Sequence, residues 1–261
     1  MKKAILIVVI VLLAYIFLVA DVYVKSMEQT EAHKMMGKKE PGKVKIKETW
    51  LGTDKFAQNS EDMSMIMDNS KQKVFLVMHL KKIYIEVPMD IDKDSLLQTL
   101  GPKAAEVISS IKISDVKADC DIGKKKVANW DCNGCEFEMT FSIPALNIIP
   151  KYKIRMWATT DVPFDHKKYT QGIEEFYKLF LSVFDIDEES QKELEKINAA
   201  KGFQVAAEIT VNMFGSEIKI KEQVLEVTEK EAPPGIYLPP ENYTKKTIAE
   251  ILGVAYEEMT S

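Results

Sequence analysis

The chain has 261 residues, 46% of them hydrophobic, and a formal net charge of −5 at pH 7. That is ample material for a core, and the acidic balance excludes the basic footprint that a nucleic-acid binder needs. It also disfavours electrostatic attachment to anionic membranes, and the short clusters Lys38-Lys39 and Lys124–Lys126 read as solvated loops.

Lys2 and Lys3 precede an uncharged run from Ala4 to Ala20, which Asp21 ends. A basic start, an apolar centre and a small final residue make an export signal. Cleavage after Ala20 is the expectation and a single uncleaved anchor the alternative. In both cases the chain from Asp21 onward faces a periplasmic or otherwise extracytoplasmic compartment. Membrane contact is confined to this first segment when it is uncleaved.

Asp21–Thr30 reads as a first strand, Glu31–Lys39 as a short helix or loop, and Glu40-Pro41-Gly42 as a turn. Val44–Leu51 and Lys55–Gln58 are strands. Met63, Met65 and Met67 mark one face of the next, and Lys73–His79 is apolar on both faces, as in a strand covered on two sides. Ile83, Ile85 and Val87 alternate with Tyr84 and Glu86 until Pro88 stops the strand. This is a meander of short strands with frequent turns. Asp94 or Ser95 is the expected cap of a helical stretch to Ile108, split in two at Gly101-Pro102. Strands follow at Ile111–Cys120, Val127–Ile143 and Lys151–Thr160.

Then the period changes. Ile173, Phe176, Tyr177, Phe180, Leu181 and Phe184 recur at three- and four-residue spacing, an amphipathic helix. Glu188–Ala200 is a second, and Gly202 supplies the left-handed residue that ends it. Phe203, Val205, Ala207, Ile209, Val211 and Met213 alternate with mostly polar residues through a turn at Phe214-Gly215-Ser216. The alternation resumes at Ile218 and slips by one at Val224-Leu225, as a β-bulge makes it. A proline-framed extended segment spans 232–240, and Thr247–Met259 is a terminal amphipathic helix.

The expected architecture is mainly β with some α: roughly eight to eleven strands in one strongly curved antiparallel sheet, with helices across its concave face.

Three cysteines remain for an oxidising compartment. Cys120–Cys132, across the turn at Asp121-Ile122-Gly123, is the candidate bridge and Cys120–Cys135 its rival. Cys132-Asn133-Gly134-Cys135 has redox spacing, but a strand lacks the helix N-terminus that lowers a thiol pKa. His33, His79 and His166 form no ligand pattern, and the acidic run Asp90–Asp94 lacks the glycine and glutamate of a calcium loop. Nucleophile-elbow, phosphate-loop and dinucleotide fingerprints are absent, so no catalytic residue, metal or cofactor is expected.

The blocks ADVYVKSMEQTEAHKMMGKKEP (20–41), KETWLGTDKF (47–56), SMIMDNSKQKVFLVMHLKKIYIEVPM (64–89), KGFQVAAEITVNMFGSEIKIKEQVLEV (201–227) and APPGIYLPPENYTKK (232–246) resemble, in their order, an exported bacterial family of the DUF4412 type. That family is similar in fold to the periplasmic carriers and receptors of outer-membrane lipoproteins (LolA/LolB-like). The resemblance implies one domain over 21–246 after a 1–20 signal, with 247–261 as an added helix. It also implies a half-barrel closed by a helical lid over an apolar cavity, and no catalytic residues. Met63, Met65, Met67, Ile83, Ile85, Phe176, Tyr177, Phe180, Phe184, Val205, Ile209 and Val211 are the candidate cavity wall. An ordinary filled core is the alternative for the same residues.

Three functions compete: a non-enzymatic carrier or sensor of an acyl chain, lipid or lipoprotein; an envelope protein with a filled core that binds a protein partner; and, remotely, a thiol oxidoreductase using Cys132 and Cys135.

Overall fold

In the computed structural model the described residues are 21–35, 37–166, 181, 184–199 and 202–251. The expected export signal, most of the expected first amphipathic helix and the end of the expected terminal helix therefore lie outside the described residues. The meander read from the alternation is present. It comprises β1 (Asp21–Thr30), β4 (Lys43–Leu51), β5 (Lys55–Asn59), β6 (Met63–Asp68), β7 (Lys73–Met78) and β8 (Ile83–Pro88). The stretch 31–39 is neither helix nor loop but a small hairpin of β2 (His33–Met35) and β3 (Lys38–Glu40).

Two short helices follow, α1 (Lys93–Leu100) and α2 (Pro102–Ser110), broken where expected at Gly101. The cap of α1 is Asp92 rather than Asp94 or Ser95, its carboxylate accepting from the Ser95 N–H at 2.8 Å. The second half of the sheet comprises β9 (Lys112–Asp119), β10 (Lys124–Val127), β11 (Trp130–Ser142), β12 (Lys151–Thr159), β13 (Asp185–Ile186), β14 (Phe203–Met213) and β15 (Ser216–Lys230). Helix α3 (Glu188–Ala199) precedes β14, and β16 (Thr244–Lys246) comes last.

Among the described residues fourteen strands make one sheet, with the path β13-β9-β11-β12-β14-β15-β1-β4-β5-β6-β7-β8-β16 and β10 on β11. The described fold is mostly β, 55% against 16% helix, and the large curved sheet does not close into a barrel. It is mixed rather than wholly antiparallel. Its two outermost strands, β13 on β9 and β16 on β8, run parallel to their neighbours. Both are only two or three residues long, a length that blunts an edge against further pairing.

The curvature brings the two halves of the sheet together. Val24, Leu51, Phe56, Met67 and Val74 from the first half share one buried cluster with Val127, Cys132, Trp157, Phe203 and Val205 from the second. The opposite face of β1 and β4–β7 is also apolar: Tyr23, Trp50, Ala57, Ile66, Phe75 and Val77. It is covered by the chain after β15, through Ala232, Ile236, Tyr237 and Tyr243. The two-sided apolar pattern of 73–79 is thus explained, since β7 has core on one face and this strap on the other. A third cluster packs α1, α2 and α3 over β9 and β11 through Leu96, Ile108, Leu194, Ile197, Ile113, Val116 and Phe141.

Gly202 returns the chain onto the sheet with φ +125°, and a Cβ there would lie 2.6 Å from the Thr159 carbonyl oxygen. Backbone cannot yield as a side-chain tip can. Gly202→Ala should therefore destabilise by about 1–3 kcal/mol in thermal or denaturant unfolding. Edge strand β16 is tied down by Lys245–Glu86 at 2.7 Å, and Glu86 also pairs with Lys73 at 2.7 Å. Lys245 and then Lys73 hold the Glu86 carboxyl below the usual carboxylate range. A depressed folded pKa contributes stability that is present above the unfolded value of about 4.3 and lost as pH falls through the folded one. Amide exchange at 244–246, corrected for intrinsic rate, should accelerate on acidification over that window, and in Glu86→Gln it should be fast throughout.

Candidate functional site: the inner face of the sheet

The register decides which expected wall residues face the same way, because directly paired residues of antiparallel strands share a face. Met63–Met78–Ile83, Met65–Leu76–Ile85 and Met67–Val74–Val87 form three rows across β6, β7 and β8. In the other half, Ile220–Ile209–Ile154–Phe137 and Ile218–Val211–Tyr152–Met139 run across β15, β14, β12 and β11. Pairing through β1, β4 and β5 puts both sets on one continuous face.

These residues are not one uniform wall. Met67 and Val205 meet in the buried cluster shared by the two halves, with Met65 packed against it. Ile85 and Val211 are buried, Ile83 and Ile209 half-buried, and Met63 exposed at the strand end. Phe184 belongs to the helical cluster with Ile113 and Val116, and its ring lies 6.4 Å from that of Phe141. Phe176, Tyr177 and Phe180 lie outside the described residues.

Six further residues of this face were not among the expected wall: Ile218, Ile220, Tyr152, Ile154, Phe137 and Met139. All six are half-buried. Burial alone pushes the Tyr152 hydroxyl pKa up. The alternation of 152, 154 and 156 marks that strand as one-sided; the pairing partners supply the rest.

The opposite face of the same four strands is charged. Arg155 donates from Nη2 and Nε to Glu136 at 2.6 and 3.0 Å. Lys153 pairs with Glu136 and Glu138, both at 2.9 Å. Lys153, then Arg155, hold the Glu136 carboxyl below its ordinary range. Such exposed pairs contribute little individually. Collectively they show that this face meets water, whereas the rows behind them are apolar and half-buried.

The inner face also carries charges that the sequence reading missed. Lys47 lies between Glu28 at 2.6 Å and Glu222 at 3.0 Å. Glu28 and Glu222 are direct cross-strand partners, and Glu222 is in turn opposite Ala207.

The disulfide joins Cys120 to Cys135, not to Cys132. Residues three apart in a strand point to opposite faces, so only one of Cys132 and Cys135 can meet Cys120. The β9–β11 register ends at Asp119 opposite Glu136, which sets position 120 beside position 135. Cys132 is free and points into the shared core, where burial pushes its thiol pKa up. That is the opposite of an activated thiolate.

His79 accepts or donates at both ring nitrogens, to Ser64 Oγ at 2.7 Å and Tyr243 OH at 3.1 Å, and so ties the strap to the sheet. Among the described residues no group of three metal-ligating side chains gathers, and no helix is long and apolar enough to cross a membrane. A shallow groove of about 420 Å³ lies at the β14–β15 turn between Ile149, Asn212, Phe214 and Glu217, and none of the expected wall residues lines it.

No family model matches the chain and no curated protein matches it, so the DUF4412-type likeness stays a resemblance. Among solved structures the chain is similar to a DUF1329 family protein from Desulfovibrio piger. The two share 8% identity over 83% of this chain and 88% of that one, at a TM-score of 0.28. It is also similar to a domain from Vibrio parahaemolyticus described as an outer membrane lipoprotein-sorting protein. There the identity is 5% over 82% of this chain and 86% of that one, at a TM-score of 0.30.

Peptide mapping without reduction should recover Cys120 joined to Cys135, with Cys132 alkylated only after unfolding. Reduction should cost about 3 kcal/mol of stability for a loop of this length, a separation of 15 residues.

Proposed function

We propose that this chain is a non-enzymatic, extracytoplasmic binding protein that shelters an apolar guest, such as an acyl chain, a lipid or a lipid-bearing lipoprotein end. The guest lies against the inner face of the open sheet. Helices α1–α3 cover the part of it over β9 and β11. The observation that supports this reading is the band Ile220–Ile209–Ile154–Phe137 with Ile218 and Tyr152. It is half-buried and apolar, and it backs directly onto an ion-paired, solvent-facing surface. An ordinary core strand would bury such residues fully, as β7 buries Val74 and Val77. A face that stays partly open suits a ligand that comes and goes.

The second reading, a protein that binds an envelope partner over a filled interior, draws on a different patch. Val44, Ile46 and Leu225 are exposed on and beside the outer surface of β15, β1 and β4. Oxidoreductase chemistry has no place in the reading, because Cys132 lies buried in a strand with its pKa raised.

Native mass spectrometry of gently purified protein should show a lipid-sized adduct, and a fluorescent fatty-acid probe should bind and be displaced by lipid extract. Ile209→Asp and Ile154→Asp each place a carboxylate in the band and should weaken probe affinity about tenfold or more. Absence of both adduct and displaceable probe binding in the unsubstituted chain would overturn the proposal.

A further inference from the structure

The turn between β14 and β15 holds an unexpected residue. Met213 pairs with Ser216, so Phe214 and Gly215 alone make the connection. Both have positive φ, +53° and +70°. In a two-residue hairpin turn of this kind asparagine, aspartate or glycine is favoured at the first position. A phenylalanine there carries left-handed backbone strain. It is 47% exposed, so packing offsets little of that strain.

Phe214 has company at its end of the strands. Met63, Leu80 and Ile149 are also exposed, Leu80 by 80%, in or beside three other turns. Strand pairing puts the turns 31–42, 60–62, 79–82, 143–150 and 214–215 on one rim of the sheet. The opposite rim consists of 52–54, 69–72, 89–92, 120–123 and 160–166. None of those turns exposes a large aliphatic or aromatic side chain; Met89, Ile91, Ile122, Val162 and Phe164 are half-buried there. Charge divides likewise. The turns of the first rim carry five lysines and four acids, those of the second one lysine and six acids.

The apolar tips are spread out rather than gathered. Five steps of the sheet, from β15 to β7, separate Phe214 from Leu80, about 24 Å along the sheet at the usual strand spacing. A flat surface touches such a row at every point, whereas a pocket on a small partner reaches one or two. The inner apolar band also runs out at this rim. Past Ile218 and Val211 come Ser216 and Met213, and the Phe141 ring lies 5.2 Å from that of Tyr152. No charged side chain interrupts the inner face of β14 and β15 between Ile220 and the turn.

We propose that this rim docks on a lipid bilayer, with Phe214, Ile149 and Leu80 entering the interface, and that the guest passes between bilayer and band beside Phe214. Apolar insertion carries the contact, because a rim with nearly balanced charge neither needs nor opposes anionic lipid. Passage of the guest rests on the guest-binding reading; docking does not.

The test places a fluorophore at the tip. Phe214→Trp, mixed with phosphatidylcholine vesicles containing brominated lipid, should lose its added emission, with or without phosphatidylglycerol in the vesicles. The unsubstituted chain, whose own tryptophans are buried or half-buried, is the control. Ile149→Asn or Leu80→Asn, added to Phe214→Trp, should each raise the lipid needed for half-quenching about threefold or more. Phe214→Asn should raise the Tm by about 2–4 °C, because asparagine suits the turn. It should leave fatty-acid probe affinity in solution unchanged and slow transfer of the probe out of vesicles. No quenching at position 214, with probe binding intact, overturns the inference and leaves the guest reading standing. A lower Tm in Phe214→Asn makes the ring structural and also overturns it. So does a dimer that depends on Phe214 and forms without quenching by vesicles, which assigns the rim to a second copy. Quenching without any probe binding supports the docking and overturns the guest reading.

Discussion

The first half of the sheet is apolar on both sides, and a sheet of that kind folds only where both sides find a cover. The inner side finds it by curvature, which lays Met67 and Val74 against Val127, Trp157 and Val205. The outer side finds it in the strap, whose Ile236, Tyr237 and Tyr243 close over Trp50, Ile66 and Phe75. Burial of each such large side chain is worth about 1.5–3 kcal/mol against exposure, so neither cover is dispensable. The strap is also held by polar contacts. Lys230 places its ammonium 3.3 Å from the centre of the Tyr23 ring and 5.0 Å from that of Trp50. The hydroxyl of half-buried Tyr237 is enclosed beside Asp21, and burial first, then that carboxylate, push its pKa up.

One irregularity keeps the two halves in phase. β15 pairs with β14 through its early residues and with β1 along most of its length. Up to Val224 its even-numbered residues face inward, with Val224 opposite Ser26. The register then shifts, Leu225 is the unpaired extra residue, and Val227 comes to lie opposite Val24. Without the shift Glu226 would enter the buried cluster beside Val24 and Val227 would face water. The exposed Leu225 is the consequence of that correction.

Much of this was legible in the sequence because period two is a strong local signal. The stripe Met63, Met65, Met67, the alternation at Ile83 and Ile85, the split at Gly101-Pro102 and the slip near Leu225 all come from spacing alone. What was not legible depends on pairing at a distance. β13 and β16 are two and three residues long, too short to show any period, and parallel docking on an edge leaves no mark in their own residues. The hairpin at 33–40 was hidden by its lysines. Cys132 and Cys135 differ only in which face they take, and the partner of Cys120 follows from the β9–β11 register. Asp92, Asp94 and Ser95 are all good caps, and backbone geometry chose the first. Lys47 and Glu222 are 175 residues apart, each unexceptional in its own strand.

That last pair marks where the fully buried part of the inner face ends. Along β4 the inner face passes from Leu51 and Thr49, which are buried, to Lys47, Lys45 and Lys43, which are progressively wetter. Along β15 it passes from Val224 through Glu222 to Ile220 and Ile218. The two gradients cross at the ion triplet, so charged and aliphatic side chains become immediate neighbours on one surface. In a solid core such contact leaves charge desolvated with little compensation, and apolar replacements of similar volume are commonly as stable or more so. The exposed Val44 and Ile46 on the reverse side are the stability forgone to place Lys45 and Lys47 inward.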